Sequence, residues 1–282
     1  MNCRIALAQM DPVPGSLRTN VSRHVELARA ARAGGAALVC FPELSLTGYG
    51  VKDLHTELAL GSGKNAAEIA PLLEASREIS IIAGGIEWAD DGAVYNAAFL
   101  FEQGAFTVVH RKVYPPTYGM FEEMRYFSRG SKIRATDTAI GRIGVLICED
   151  AWHVSVPYLL ALDGARLLVS LVASPTRLGP KGFPPQVVNT ENSRAHARLL
   201  CVYFAFCNRT GYEDGVNFWG GSHVAAPDGE VICTAPLFEE GLVFAEIDED
   251  RVRRARVASR HFLDEDLLLT QQELSRIVRR RE

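Results

Sequence analysis

The stretch 144–153, GVLICEDAWH, changes from apolar to acidic in its middle. The apolar residues 145–147 lead to Cys148, and Glu149 and Asp150 follow it directly. This break predicts a buried strand that turns sharply into a helix, a geometry that exposes a nucleophile and lets the next backbone N–H bind an oxyanion. A buried structural thiol is the alternative interpretation of Cys148, since free cysteines are commonly small buried hydrophobes.

Two other apolar strands end in a reactive polar side chain. The stretch 37–43, ALVCFPE, ends in Glu43, and the stretch 106–116, FTVVHRKVYPP, contains Lys112. Because successive strand residues point to opposite faces, either Arg111 or Lys112 can face inward. The alternatives are a loop carboxylate at Glu43 and two solvated cations in the second stretch.

Together, the three residues supply the parts of a covalent reaction. A thiol is only slightly ionised at neutral pH and needs a base or a cation to become a good nucleophile. No histidine is an obvious base for Cys148, whereas a glutamate held out of water can serve, because desolvation raises a carboxyl pKa toward the working range. A lysine beside that glutamate would stabilise a developing oxyanion. Cysteine, glutamate and lysine therefore provide nucleophile, base and electrophilic support.

Apolar runs alternate with amphipathic segments along the whole chain. This pattern predicts one α/β domain over 1–250, in which helices cover the sheets, and a C-terminal extension over 251–282. Predicted strands cover 5–10, 37–41, 79–87, 95–102, 105–110, 143–147, 167–172, 202–207, 222–226, 231–234 and 242–247, and predicted helices cover 16–33, 66–78, 156–163 and 184–200. The extension is basic and helical, and its apolar residues predict either a subunit interface or packing against its own domain.

Composition narrows the class of protein. The 282 residues are 48% hydrophobic and carry a net charge of −4, which is typical of a folded soluble chain and too acidic for a general nucleic-acid binder. No apolar stretch has the length of a membrane span, and the N-terminus reads as a first strand. The six cysteines contain no CxxC pair, which predicts reduced thiols in a cytoplasmic protein. The histidines and cysteines lack the spacing of a zinc site, so we expect no metal and no cofactor.

Three segments resemble the signatures of the carbon–nitrogen hydrolase (nitrilase-like) superfamily. They are FPELSLTGY at 41–49, HRKVYPPTYGMFEEMRYF at 110–127 and GVLICEDAW at 144–152, and they occur in the family order. The resemblance implies a four-layer α-β-β-α sandwich, usually assembled as a dimer or larger, with Glu43 and Lys112 as catalytic partners of Cys148.

The resemblance also implies further site residues. A second glutamate precedes Arg-Tyr-Phe by one position in the pattern resembled here, which identifies Glu123, with Glu122 as the alternative. GYGVKDL at 48–54 and LVASP at 171–175 are most similar to the glutaminase domain of glutamine-dependent NAD synthetase. In that branch the residues that match Tyr49, Glu149 and Ser174 help to hold the substrate. The arginine that binds the glutamine α-carboxylate has no clear counterpart, and Arg177 and Lys181 are the candidates.

These observations predict an amidohydrolase that cleaves a small linear amide through a thioester. Three alternatives remain open. The first is nitrile hydrolysis, which is disfavoured because Glu149 stands where that branch usually has tryptophan. The second is a glutaminase subunit that supplies ammonia to a separate synthetase, and the third is a catalytically silent binding protein. We expect a homodimer or larger homo-oligomer, and no nucleic-acid or membrane partner.

Overall fold

The computed structural model describes residues 1–61, 63–176 and 184–281. Its strands, in chain order, are β1 (Asn2–Gln9), β2 (Leu38–Cys40), β3 (Ser80–Trp88), β4 (Val94–Glu102), β5 (Ala105–Arg111), β6 (Thr136–Thr138), β7 (Gly141–Ile147), β8 (Leu167–Val172), β9 (Tyr203–Asn208), β10 (Thr210–Glu213), β11 (Val216–Trp219), β12 (His223–Ala225), β13 (Val231–Thr234) and β14 (Gly241–Asp248). Its α-helices are α1 (Leu17–Ala33), α2 (His55–Leu58), α3 (Ala66–Ala75), α4 (Glu123–Tyr126), α5 (Ser155–Leu162), α6 (Pro185–Leu200), α7 (Glu249–Ala258) and α8 (Leu267–Arg281). Short 3₁₀ helices cover Lys52–Leu54, Cys148–Trp152 and Arg260–Phe262.

Two six-stranded sheets form the centre of the molecule. The first has the strand order β14-β1-β2-β3-β4-β5, and the second has the order β13-β12-β9-β8-β7-β6. Strands β1, β2 and β3 are parallel, as are β7, β8 and β9. Parallel neighbours need a crossover connection, and α1, α3, α5 and α6 lie in these crossovers. Strands β10 and β11 pair separately as a hairpin.

The two sheets pack face to face through an apolar layer. Ile5 and Leu7 of β1 are buried in this layer together with Ile147 of β7. Because side chains alternate along a strand, the neighbouring residues in each strand point to the opposite face of the sheet, toward the helices. Ala6 packs in the layer with α1 and α3, and Leu146 packs in the layer with α5 and α6. The layers are therefore helix, sheet, sheet, helix, and the predicted four-layer α-β-β-α sandwich is confirmed.

Most predicted elements are present, with ends shifted by a few residues, but the β10–β11 hairpin was not predicted. Asp214 and Gly215 form its turn, with φ angles of 52° and 80°. An Asp-Gly pair is a favoured two-residue hairpin turn because both positions need a positive φ. The signal was therefore in the sequence. Its two strands have four residues each, too few for a clear alternation of apolar and polar residues.

The chain after β14 contains two α-helices that differ in burial. In α7, Val252 is buried in the layer between the sheets. By contrast, α8 has no buried residue, and Leu267, Leu274 and Val278 line a groove between this helix and α5. Tyr158 of α5 donates a hydrogen bond to the Glu265 carboxylate at 2.7 Å, just before α8. Within the described ranges, no helix is both long and apolar enough to cross a membrane.

Candidate active site

The four predicted catalytic residues meet where strand ends of the two sheets come together. Glu43 follows β2 and Lys112 follows β5, both in the first sheet, while Cys148 follows β7 in the second sheet. Glu123 begins α4, in the segment after Lys112. Functional residues of α/β proteins commonly lie beyond the carboxyl ends of parallel strands. The three sequence segments, which are far apart along the chain, therefore share one edge of the sandwich.

Lys112 is the centre of a buried charge cluster. Its Nζ donates to Glu43 Oε1 at 2.7 Å and to Glu123 Oε1 at 2.6 Å, and the three side chains are at most 3% exposed. Asn96 Nδ2 donates to the same Glu43 oxygen at 2.8 Å. Asn96 was not predicted from the sequence, although an amide side chain inside the largely apolar strand β4 is a visible signal. Of the pair in the predicted second-glutamate position, Glu123 is buried in this cluster and Glu122 is exposed.

The backbone at Glu43 lies directly against β3. A Cβ atom on Gly84 would stand 2.5 Å from both Leu44 N and Pro42 O, and 2.8 Å from Glu43 Cα. Gly84 N donates to Pro42 O at 3.2 Å, and Leu46 N donates to Gly84 O at 3.0 Å. Only glycine fits this contact, which fixes the height of Glu43 above the sheet edge.

Cys148 stands at a strained turn between β7 and a 3₁₀ helix. Its φ is 47°, and the helix Cys148–Trp152 starts at the same residue. This is the strand-to-helix turn that the sequence predicts. A non-glycine residue in the left-handed region costs of order 1–3 kcal/mol and persists only where its surroundings hold it. The backbone N–H of Ala173, after β8, contacts the Cys148 thiol and donates to Glu43 Oε2 at 3.0 Å.

Burial and nearby charges set the ionisation of the cluster. Burial and the charge of Glu43 raise the pKa of the Cys148 thiol well above its ordinary value, although Lys112 opposes this shift. The resting nucleophile is therefore a neutral thiol. Burial disfavours the charged Lys112 ammonium, but the carboxylates of Glu123 and Glu43 outweigh it and raise the pKa of Lys112, which stays cationic. Burial also raises the pKa of Glu123, against the effects of Lys112 and Tyr49.

The Cys148 side chain opens into a cavity of about 180 Å³. Glu149 and Ser174, two of the predicted substrate-binding residues, line this cavity. The Glu149 carboxylate accepts a hydrogen bond from Tyr118 Oη at 2.8 Å, and Ser174 Oγ accepts one from Trp219 Nε1 at 3.0 Å. Tyr118 also lines the cavity and was not identified from the sequence. Its contact with Glu149 joins residues 31 positions apart, a separation at which no local pattern signals a pairing.

The other predicted substrate-binding residues have different positions. Tyr49 Oη donates to Glu123 Oε1 at 2.5 Å, so it contacts the charge cluster from the side of a neighbouring cavity, which Tyr49 and Glu123 both line. Burial and the negative charges of Glu123 and Glu43 raise the pKa of Tyr49. Arg177 and Lys181, the candidates for binding an α-carboxylate, lie outside the described residues.

In the part of the chain that the structure describes, no group of three or more His, Cys, Asp or Glu side chains is arranged to hold a metal ion. The polar groups near Cys148 instead contact one another: the Lys112 ammonium, the Glu43 and Glu123 carboxylates, the Asn96 amide and the Ala173 backbone N–H.

The chain is similar to known proteins over most of its length. The sequence model of the family described as carbon-nitrogen hydrolase matches residues 4–257. The glutamine-dependent NAD(+) synthetase of Acinetobacter baylyi is 33% identical over 261 residues, which are 93% of this chain and 47% of the synthetase. A probable nitrilase of Schizosaccharomyces pombe is 28% identical over 91% of this chain and 92% of that protein.

Solved structures share the fold. The crystal structure of a carbon-nitrogen hydrolase from Helicobacter pylori G27 has a TM-score of 0.85 and 23% sequence identity, and the match covers 97% of this chain and 99% of that one. This likeness supports the four-layer architecture described above. The chain spans about half the length of the curated synthetases that it matches.

Proposed function

The chain belongs to the carbon–nitrogen hydrolase family, and from this premise we propose that it is a cysteine-dependent amidohydrolase that cleaves a small linear amide. One observation carries the proposal. A buried ammonium bridges two carboxylates at the turn that bears Cys148. This arrangement supplies a nucleophile, a base and a fixed positive charge at one place.

The first half of the reaction forms a thioester. Among the residues that the structure describes, Glu43 Oε2 accepts one hydrogen bond, from Ala173 N, and a carboxylate oxygen can accept two. The remaining position takes the thiol proton as Cys148 Sγ attacks the amide carbon. Lys112 and the backbone N–H of Glu149 stabilise the negative oxygen of the tetrahedral intermediate. Glu43 then passes its proton to the leaving nitrogen, the C–N bond breaks, and ammonia or an amine departs.

The second half of the reaction hydrolyses the thioester. Glu43, ionised again, removes a proton from a water molecule that attacks the thioester carbon. The Cys148 thiolate leaves and regains a proton from Glu43, which restores the resting state. Glu123 positions Lys112 throughout, because it accepts from the ammonium and, through the same oxygen, from Tyr49. The two carboxylates can be close together only while Lys112 lies between them.

The cavity favours a short amide with a polar end. Its volume of about 180 Å³ is small. A bulky apolar group would also displace water from the Glu149 carboxylate and the Ser174 hydroxyl without replacing the hydrogen bonds of that water, which is costly. An α-amino group could instead be bound by these side chains. We therefore propose a small ω-amide of the glutamine type, with its carboxylate bound by Arg177 or Lys181. The glutamine-dependent synthetase among the relatives supports this choice.

The proposal is tested with a panel of substrates. Ammonia release is measured for glutamine, acetamide, benzamide and a nitrile of matched size, and kcat/KM is compared. We expect glutamine or the aliphatic amide to lead. The kcat/KM of Glu43→Gln should fall at least about 10²–10⁴-fold, the range typical of acid–base catalysis. Cys148→Ala should have no turnover. Cys233→Ala, which removes another half-buried thiol, is the matched control and should keep full activity.

The panel also separates the alternatives. A preference for the nitrile or for benzamide would refute the substrate proposal and leave the catalytic residues standing. Substantial turnover in Cys148→Ala would refute the catalytic proposal itself. If Cys148 does not react with a thiol reagent and no compound is turned over, the chain would instead be identified as a binding protein. Inhibition by EDTA that zinc reverses would contradict a metal-free reaction.

A second candidate function is supply of ammonia to a separate synthetase. The support is that 93% of this chain is similar, at 33% identity, to part of the glutamine-dependent NAD(+) synthetase of Acinetobacter baylyi. Affinity capture of the chain from its native cells, followed by identification of bound proteins, tests this idea. A synthetase recovered with the wild-type chain and a glutaminase rate that rises in its presence are the expected results. Full activity without any bound protein would favour the free-standing amidase.

We also propose a homodimer or larger homo-oligomer. The support is the exposed apolar surface of α8, to which Leu268, Leu269 and Ile277 contribute in addition to the residues of the groove. A second copy of the chain would remove this surface from water. A monomer in light scattering at micromolar concentration would contradict the proposal.

A further inference from the structure

Asp150 is buried next to the site but has no part in the reaction proposed above. Its side chain is fully buried and accepts four hydrogen bonds. Oδ1 accepts from the backbone N–H groups of Val113 at 3.1 Å and Tyr114 at 3.0 Å. Oδ2 accepts from Ile147 N at 3.2 Å and from His110 Nε2 at 2.7 Å.

These four donors belong to the two segments that carry the reacting groups. His110, Val113 and Tyr114 lie immediately around Lys112, at the end of β5 in the first sheet. Ile147 immediately precedes Cys148 at the end of β7 in the second sheet. A single carboxylate therefore connects the lysine segment to the cysteine turn. Because backbone groups supply three of the four hydrogen bonds, the connection fixes the course of the chain and not only the side chains.

Other contacts also hold the turn. His196 Nε2 donates to Ala151 O at 2.9 Å, and the ring of His153 stacks on that of Tyr114 with centroids 3.5 Å apart. Neither contact reaches Ile147 or the backbone next to Lys112. The left-handed conformation of Cys148 needs surroundings that hold it. From the side of Lys112, Tyr114 and Tyr118 contact the turn through their side chains, whereas Asp150 accepts hydrogen bonds from backbone N–H groups of both segments.

We propose that Asp150 is a positioning residue, which sets the placement of the Cys148 thiol relative to Lys112 and Glu43. The inference rests on the proposed function, since it assigns a role in the same reaction. In Asp150→Asn one acceptor oxygen becomes an NH₂ group. His110 can adapt by exchanging its ring proton, but a backbone N–H cannot become an acceptor. At least one backbone donor is then unpaired, and the turn shifts.

The first test compares Asp150→Asn with Asp163→Asn. The Asp163 carboxylate also accepts from a backbone N–H, that of Ala135 at 2.7 Å, but it lies outside the site. A misplacement of reacting groups by about 1 Å can cost 10²-fold in rate. We expect kcat of folded Asp150→Asn to fall about 10²-fold with KM changed less than threefold, and Asp163→Asn to keep the wild-type kcat. Thermal unfolding monitored by circular dichroism establishes the folded fraction.

A second measurement needs no substrate and therefore separates this inference from the proposed function. The rate constant for alkylation of Cys148 by chloroacetamide reports how well the thiol is activated. We expect it to fall about tenfold in Asp150→Asn, since it depends on the same placement. If the wild-type chain hydrolyses no amide, the proposed function fails, but the alkylation rates still decide the role of Asp150. Alkylation and kcat both within twofold of the wild type in folded Asp150→Asn would overturn the inference.

A pair of variants at His110 covers the case in which Asp150→Asn does not fold. His110→Leu removes one of the four hydrogen bonds, whereas His110→Gln keeps an N–H donor. We expect slower alkylation in His110→Leu and at least half of the wild-type rate in His110→Gln. Equal rates in the two variants would overturn the proposal, because the hydrogen bond to Asp150 would then have no effect on the thiol.

Discussion

Replacing Lys112 by Met would test the charge cluster directly. Methionine has a similar length but no charge, so Glu43 and Glu123 would lose the ammonium that both contact. At an effective dielectric constant of about 20, a contact at 2.7 Å is worth about 6 kcal/mol in Coulomb energy. The desolvation of the ammonium opposes this energy and costs several kcal/mol. The net loss of unfolding free energy should therefore be about 3–5 kcal/mol, the range for one partner removed from a buried ion pair.

The loss should depend on pH in a defined direction. Without Lys112, the two buried carboxyl groups can be close only if at least one carries a proton. Burial already raises the pKa of Glu123, and Lys112 opposes this shift, so in the variant the pKa of Glu123 rises further above the unfolded value of about 4.3. Stability from a raised pKa is present below the unfolded pKa and is lost as pH rises through the folded pKa. The difference between Lys112→Met and the wild type should therefore be small at pH 4.5 and largest at pH 8. Urea unfolding at both pH values measures it.

Two further variants make this test specific. Lys52→Met removes an exposed lysine that forms a surface ion pair with Asp214 at 3.1 Å, and it should leave stability unchanged. Adding Glu123→Gln to Lys112→Met should recover much of the stability at pH 8, because one of the two repelling charges is gone. Equal stability of Lys112→Met and the wild type at pH 8, or a loss that does not vary with pH, would refute the electrostatic account.

Three other predictions concern the site, the core and the assembly. Gly84→Ala should lower kcat and the melting temperature together, because the new Cβ would overlap the backbone at Glu43; a kcat equal to that of the wild type would contradict the described contact. Burial lowers the pKa of His24 and of His223 to about 4, so the unfolded state binds protons first as pH falls. Each histidine should then remove roughly 2 kcal/mol of unfolding free energy between pH 7 and pH 5, as measured by urea unfolding, and the loss should be smaller in His24→Gln. Deletion of 267–282 should turn an oligomer into a monomer in light scattering, whereas an unchanged mass would exclude α8 from the interface.

The strands could be predicted because both faces of each central strand are buried. Continuous apolar runs such as 143–147 and 167–172 have no other stable place than the middle of a layered α/β fold. The reactive residues were visible for the related reason that each interrupts or ends such a run. Lys112 illustrates this best. Strand alternation allows its side chain to face inward, and it is buried whereas the neighbouring Arg111 is only half-buried.

The remaining parts of the site depend on contacts between distant segments. Asp150 reads as one of two acidic residues after a cysteine, and nothing near it in sequence shows that its partners lie around Lys112. The Ala173 N–H is a backbone group, which no side-chain pattern can reveal. Tyr49 was predicted to bind substrate, and the structure places its hydroxyl against Glu123. Its part in substrate binding stays a prediction.

The apolar layer between the two sheets has a consequence for the chemistry. Glu43 and Lys112 follow strands of one sheet and Cys148 follows a strand of the other, so the position of the thiol relative to its proposed base depends on how the two sheets pack through this apolar layer. Removing a methyl group from Ile82 or Val169, which are buried in that layer, would change the packing of the two sheets. The proposed reaction should then slow before the protein unfolds. The rate of the proposed reaction would therefore report how closely the two sheets pack against each other.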